Sequence, residues 1–566
     1  MRTSLSVGLL GVFILGSVLL DSCAPIVSGC EYTGTCKDGI YGGGAGGGSS
    51  TGGDGGDATS GGADSSGGIG GMGSGGVTDG GSGVGGDGET SGGEGGASNN
   101  CDTSKSPSVE ACVASNAHAV FVAPSGSDEA DGTQLTPVKT ITQALAVAAS
   151  SGKVVIACNG TCDEHVSITG GARIYGGFAC PGEKSPWTYQ AGKRALVAPS
   201  TVGLALEVRN VADPVIMQDM EFDSANATAA GESSIAAIVE SSPSVALARV
   251  KIVAGKGAAG VDGVSGAIGA DGVTPTSGQK GEDAVCGSLA PSANLGGTWP
   301  GDSLCGSRGG PGGVAQKGTA GTAGTFGTPQ MNVDPANVNN RGAEGSEGED
   351  GKPGSGGIAG TSGKALAGQG EFTAVGFTAA TAASSGTDGF PGQGGGGGGA
   401  SNASGMCIGA SGGAGGMGGC GGKAGTGGAG GGASVALISW SSNITLDSCE
   451  LVASDGGAGG RGGDGGLGGL GKDGAEGGAS FVIDAMNSIG KGGTGGPGGN
   501  GGAGGPGGGG NGGPSLALVI HGEAPLKVKT TLTPGQGGIA GPGGAAGSIT
   551  GESGKPGTAA AQLAVP

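Results

Sequence analysis

Aromatic side chains are scarce: 3 Trp, 4 Tyr and 9 Phe among 566 residues. The glycine-rich stretches therefore cannot assemble a large conventional core, and any core must come from Val, Ile, Leu and Ala. Cations are few as well. With 26 Lys and Arg against 46 Asp and Glu, the formal charge is −20, and the clustered bases that a phosphate backbone requires are missing, which argues against a nucleic-acid partner. Only His118, His165 and His521 occur and there is no Cys-x-x-Cys pair, so neither a Cys/His zinc site nor a histidine-based triad is expected. Residues 456–479 contain no proline, which weighs against a collagen-type triple helix.

What is present begins with an export signal. Met1, Arg2 and Thr3 form a short basic start, and residues 5–20 are uncharged and mostly apolar. Leu20-Asp21-Ser22-Cys23 then resembles the lipobox of bacterial lipoproteins. That resemblance implies a signal peptide over residues 1–22, a lipid on Cys23 and attachment to the outer membrane or cell surface. Asp21 departs from the usual small or apolar residue, Val27-Ser28-Gly29-Cys30 offers a second, more distant lipobox, and cleavage without lipid would leave a secreted protein. Residues 41–99 are Gly, Ser, Thr and Asp with almost no apolar side chains. Such a stretch buries too little to offset its ordering entropy, so residues 23–100 are read as a flexible tether.

Export permits disulfides among the 13 cysteines. Local candidates are Cys30 with Cys36, Cys101 with Cys112, Cys286 with Cys305, and Cys407 with Cys420. Cys158 pairs either with Cys162 or, if the chain is coiled into rungs, with Cys180.

Glycine supplies 148 residues, and it is periodic. Every third residue is Gly from Gly456 to Gly477, from Gly492 to Gly513 and from Gly342 to Gly363. A three-residue register implies a backbone turning once per triplet with one side free of Cβ atoms, as in a polyproline-II-type polyglycine helix. Isolated segments of this kind are expected to be disordered; a bundle could be stable if neighbouring backbones satisfy each other's hydrogen bonds. The tracts resemble, in composition only, the glycine-rich repeats of mycobacterial PGRS proteins.

Between Cys101 and Gly257 the pattern is different. Residues 119–123 read as a strand, and residues 140–148 as a short helix with Thr140 as N-cap and Ile141, Leu145 and Ala148 on one face. Short apolar or alternating pieces follow, among them residues 215–222 and 245–253, each expected as one strand. The series Val120 to Asp128 containing Ser-Gly-Ser-Asp, then Asp131-Gly132-Thr133, Thr136-Pro137-Val138-Lys139-Thr140-Ile141, Ala144-Leu145 and Lys153 to Ile156 resembles the opening of the DUF1565 family. The resemblance implies a pectate-lyase-like, right-handed parallel β-helix and no defined chemistry. The whole layout is similar to surface proteins of myxobacteria.

An internal repeat joins the two halves. Residues 244–257 align without gaps to residues 443–456, and apolar pieces start with Ser at Ser234, Ser434, Ser480 and Ser515. The glycine blocks are therefore expected as excursions between successive rungs. In this alignment Cys449 falls on the inward Val250, which makes it a buried thiol. The expected architecture is all-β: a cap and rungs over residues 101–257, glycine-rich insertions over 258–433, and further rungs interleaved with glycine triplets over 434–566.

For chemistry, one strand bearing Asp219, Glu221 and Asp223 on a single face, with Met220 and Phe222 inward, lies in phase with Arg249 and Lys251. Carboxylates for Ca²⁺ beside a base that abstracts a sugar proton are what polysaccharide lyases of this fold use. The plainer reading is exposed ion pairs between rungs. Gly459 to Asp464 also matches the start of a calcium-binding nonapeptide, without the tandem array such sites need. No cofactor beyond Ca²⁺ is suggested. The expectation is an exported surface protein with a structural or adhesive role, meeting an extracellular polysaccharide or a cell-surface protein. The alternative is a carbohydrate-binding or lyase-like β-helix acting on acidic glycans.

Overall fold

The computed structural model describes residues 101–180, 187–301 and 303–566; Cys23, Cys30, Cys36, the signal segment and the tether lie outside them. The described residues are mostly β, with three long sheets in which every neighbouring pair is parallel. Sheet I runs through Val166–Ile168, Leu206–Arg209, Ser234–Glu240, Ser434–Trp440, Ser515–His521 and Ala559–Val565. Sheet II contains Ala119–Val122, Val154–Cys158, Ala172–Phe178, Val215–Gln218, Val245–Ala248, Ile444–Asp447 and Leu526–Val528. Sheet III contains Thr161–Cys162, Ala195–Val197, Met220–Asp223, Lys251–Val253, Glu450–Val452 and Thr531–Thr533. The chain visits I, II and III in turn and then repeats, a path compatible with a parallel β-helix.

Alternation builds the interior. Leu206, Met217, Phe222, Leu247, Ile252 and Leu446 are among the side chains closed off between the three sheets. The helix Ile141–Ser151 packs on the first strands, covering one end. Thr140 caps it by accepting from the Gln143 N–H, and Gly152 ends it in the left-handed region at φ 66°.

The corners explain a difference from expectation. Residues 215–222 and 245–253 do not form single strands. Each breaks at a left-handed residue, Asp219 (φ 55°) and Arg249 (φ 54°), which passes the chain from sheet II to sheet III. Ser448 and Lys529 do the same on later turns. These corner amides bond along the stack, Asp219 N–H to Ala248 O and Arg249 N–H to Asp447 O at 3.1 and 2.8 Å.

Ser234, Ser434 and Ser515 pair in register on sheet I, as the repeat predicts, and Val245 lies against Ile444. Ser480 does not join them. The piece after it, Phe481–Val482, is exposed and forms an antiparallel pair with Ser488–Ile489, of which only Ile489 is buried.

The glycine-rich segments connect sheet III back to sheet I, and their hydrogen bonds run from segment to segment. N–H groups of Gly257, Gly260, Gly263 and Gly266 donate to the carbonyls of Asp455, Ala458, Arg461 and Asp464, so these two segments run parallel. Gly457, Gly460 and Gly463 donate to Gly432, Ala429 and Thr426, an antiparallel pair. The segment 492–513 bonds with six others, around residues 457–478, 384–399, 348–363, 413–431, 538–544 and 552–555.

Glycine content follows depth. Around Gly263 one residue per triplet is Gly, and only its Cβ position is blocked, by Thr426 O at 2.1 Å; Val261, Asp262, Val264 and Ser265 are exposed. In residues 456–478 most triplets carry two, facing Gly513 O at 2.1 Å from Gly456 and Ala258 O at 1.9 Å from Gly457. Residues 394–399 are all Gly, all buried, and a Cβ on Gly396 would stand 1.7 Å from Asn340 O. Each face against a neighbouring backbone thus removes one side chain.

Two disulfides differ from the local pairing. Cys101–Cys112 and Cys158–Cys180 form, but Cys286 bonds to Cys407 and Cys305 to Cys420, across 121 and 115 residues. The antiparallel contact of Val285–Cys286 with Cys407–Ile408 sets Cys286 opposite Cys407. Cys162 and Cys449 are buried free thiols, and burial pushes Cys162 up to about 12.

Candidate functional site

The five proposed site residues do come together at the junction of sheets II and III. Because the chain turns at Asp219, however, Asp219 does not share a strand face with Glu221 and Asp223. It sits at the corner, 3% exposed, and is gripped by Arg249, with Nε–Oδ1 and Nη2–Oδ2 both 2.8 Å. Tyr189 donates its hydroxyl to Asp219 Oδ2 at 3.2 Å. Both carboxylate oxygens are thereby occupied. The paired Asp219 in turn raises Arg249 above its ordinary value.

Glu221 and Lys251 are partners in the parallel register, and Lys251 Nζ lies 2.5 Å from Glu221 Oε1. That bond raises the lysine further into its charged form. The next residue in this ladder is Glu450, whose Oε1 accepts from Arg194 Nη2 at 2.8 Å, while Arg194 Nε donates to Arg249 O at 2.9 Å. Charge therefore alternates across neighbouring strands, acid against base, as sheet packing favours. Arg194 and Tyr189 carried no sequence signal, since both come from the segment before sheet III rather than from an alternating strand.

Asp223 stands apart. Its Oδ1 is buried without a partner, and burial, with Glu221 nearby, pushes its carboxyl up to about 6. Among the described residues no group of three or more His, Cys, Asp or Glu is arranged to hold a metal ion. The second calcium candidate is likewise engaged: Asp464 accepts from Arg461 Nη2 at 2.6 Å and from Ala545 N–H at 2.7 Å. A similar ladder that the sequence did not single out lies on sheet I, where Arg209 bonds both Glu207 and Glu240.

The motif residues that carry the family resemblance are structural. Asp128 Oδ1 accepts from the N–H groups of Lys139 and Thr140 at 2.9 and 2.8 Å, fixing the approach to the helix. Gly126 is required because its Cβ would meet Pro137 O at 2.4 Å, and Gly132 occupies φ 71° against Val120. A family model described as "Protein of unknown function (DUF1565)" matches residues 124–220. No curated protein and no solved structure matches the chain. The matched stretch holds the cap, the helix and the first strands of the stack, and of the five site candidates it reaches only Asp219. The ladder formed with Arg249 and Lys251 is therefore a feature of this chain beyond the similarity.

Proposed function

We propose that this chain is an exported protein held at the outer membrane or cell surface by a lipid on Cys23, with a structural or adhesive role and no catalysis. In this reading residues 23–100 are a tether, residues 101–257 the cap and first rungs of a right-handed solenoid, and residues 434–566 its continuation. Residues 258–433 and the later triplet segments are insertions that pack as polyglycine-type helices. Its partners are then an extracellular polysaccharide or a cell-surface protein. The observation that carries the reading is the engagement of Asp219 and Glu221 by Arg249 and Lys251: a carboxylate closed by a bidentate guanidinium is not free for Ca²⁺, nor is that Arg free as a base. The interlocked glycine segments supply a rigid, outward-facing surface in its place. Incubating the purified mature protein with pectin or alginate and Ca²⁺ is expected to release no unsaturated products; robust release would overturn the non-catalytic role. Globomycin-sensitive processing and membrane fractionation test the anchor, and a soluble wild type alongside a soluble Cys23→Ala variant would refute it.

A further inference from the structure

A cleft of about 610 Å³ opens at the helix-covered end of the stack, away from the ion-pair ladder. Its apolar wall comes from Leu145 and Ala148 of the helix and from Val155, Ala172 and Ile216 of sheet II. Two cations, Lys153 and Arg173, line it. Val155 pairs with Ile174 in parallel register, so Arg173 directly precedes that pair on one strand and Lys153 stands one residue further back, just before the other. Neither has a carboxylate partner within ion-pair distance among the described residues, in a chain that carries 46 acids. With two cations against the single acid Asp213, the cleft lining is net positive, which draws in an anion.

Both side chains are nevertheless held in place. Lys153 Nζ donates to Asn116 O at 2.7 Å and Arg173 Nη1 donates to Thr103 O. Each of these bonds uses only part of the donor set, since an ammonium has three N–H groups and a guanidinium five. The mouth is bare: Gly170 would place a Cβ in open space. Asp213 on the rim is the sole acid there and disfavours a ligand with more than one negative charge.

We infer that this cleft binds a small organic monocarboxylate with an apolar body. The carboxylate is taken by Lys153 and Arg173 and the hydrocarbon lies on the partly exposed Leu145, Ala172 and Ile216. The volume is within the range of small-molecule sites, about 300–1,000 Å³, and apolar walls with a few converging polar groups are their usual make-up. Octanoate is a suitable probe, with octan-1-ol as the uncharged control. Titration calorimetry on the wild-type protein should give one saturable site for octanoate, weakened by added salt, and little heat with octanol. Lys153→Gln and Arg173→Gln should each weaken octanoate by about tenfold or more, the loss of one charge-assisted contact. Because Arg173 also holds Thr103, Gly170→Phe serves as a second variant: it should block binding while leaving the thermal midpoint unchanged. Absence of octanoate binding, equal binding of octanol, or full affinity in both Lys153→Gln and Gly170→Phe would overturn the assignment.

Discussion

Arg249 and Asp219 meet through two parallel hydrogen bonds of 2.8 Å although both occupy the left-handed region, each at the same corner on successive turns of the chain. The corner brings their backbones one strand apart, so the side chains pair without leaving the stack. Asp219 is nearly inaccessible while Arg249 keeps contact with solvent. Removing the arginine therefore strands a buried carboxylate. Arg249→Ala is expected to cost about 2–3 kcal/mol, below the value for a fully buried pair because the arginine is partly hydrated. Lys251→Ala should cost about 1 kcal/mol or less. Urea unfolding of the two variants checks the order, and equal losses would show that the corner pair has no special weight.

Gly396 tests whether the glycine segments are a packed array. Gly396→Ala must displace Asn340 O, so it should destabilise the array by at least about 1–3 kcal/mol and open residues 384–432 to protease. Leu467→Ser, at an exposed position of another segment, should stay within about 0.5 kcal/mol. Limited proteolysis of residues 101–566 reads both. Rapid cleavage across these segments in the wild type would mean that they are loops.

The long-range disulfides make a mapping prediction. Non-reducing peptide analysis should recover Cys286 joined to Cys407 and Cys305 joined to Cys420, with Cys162 and Cys449 unalkylated until the protein unfolds. In the chain-entropy view, closing a loop of roughly 100 residues is worth about 4–5 kcal/mol. Losing either bridge should therefore lower the thermal midpoint, and losing both should cost less than twice as much, because the two loops overlap.

Stability should respond to pH with two opposite signs. Asp271 and Asp455 are held below the ordinary carboxylate range, first by the N–H groups of Leu470 and Gln536 and then by Lys472 and Lys256. Folding keeps these groups charged, so their contribution is present above the unfolded value of about 3.9 and is lost as pH falls through the lower folded value. Asp223 behaves the other way. Its folded value of about 6 lies above the unfolded one, so between about pH 4 and pH 6 the folded state holds the extra proton and stability declines as pH rises. Asp223→Asn should raise the midpoint at pH 7 and flatten that decline; an unchanged profile would mean that Asp223 is hydrated.

Much of this was legible in the chain. Thr140 as N-cap, the inward Met220 and Phe222, the alignment of residues 244–257 with 443–456 and the burial of Cys449 follow from local chemistry and periodicity, which the fold preserves. The corners were not legible. Arg249 and Ser448 adopt a conformation that sequence reasoning assigns to Gly or Asn, and in each the corner N–H bonds to the next turn of the stack, at Asp447 O and Val528 O. Ser480 resembles the rung starts in composition, but the strand after it is two residues long and finds only a hairpin partner. The local pairings of Cys286 with Cys305 and of Cys407 with Cys420 failed because proximity in sequence says little where segments from far along the chain lie side by side. For the site, residue types and spacing predicted the cluster, but not that Tyr189 and Arg194 would help to close it.

The triplet hydrogen bonding also restricts how such a chain can change length. Adding three residues to one segment slides it by one repeat, about 9.3 Å at 3.1 Å per residue, and every donor again faces an acceptor. Adding one or two turns its bare edges away and points side chains into neighbouring backbones. Growth and shortening are thus quantised, like teeth on a rack, and variants that differ by whole triplets can keep the same interlocked surface at different reach.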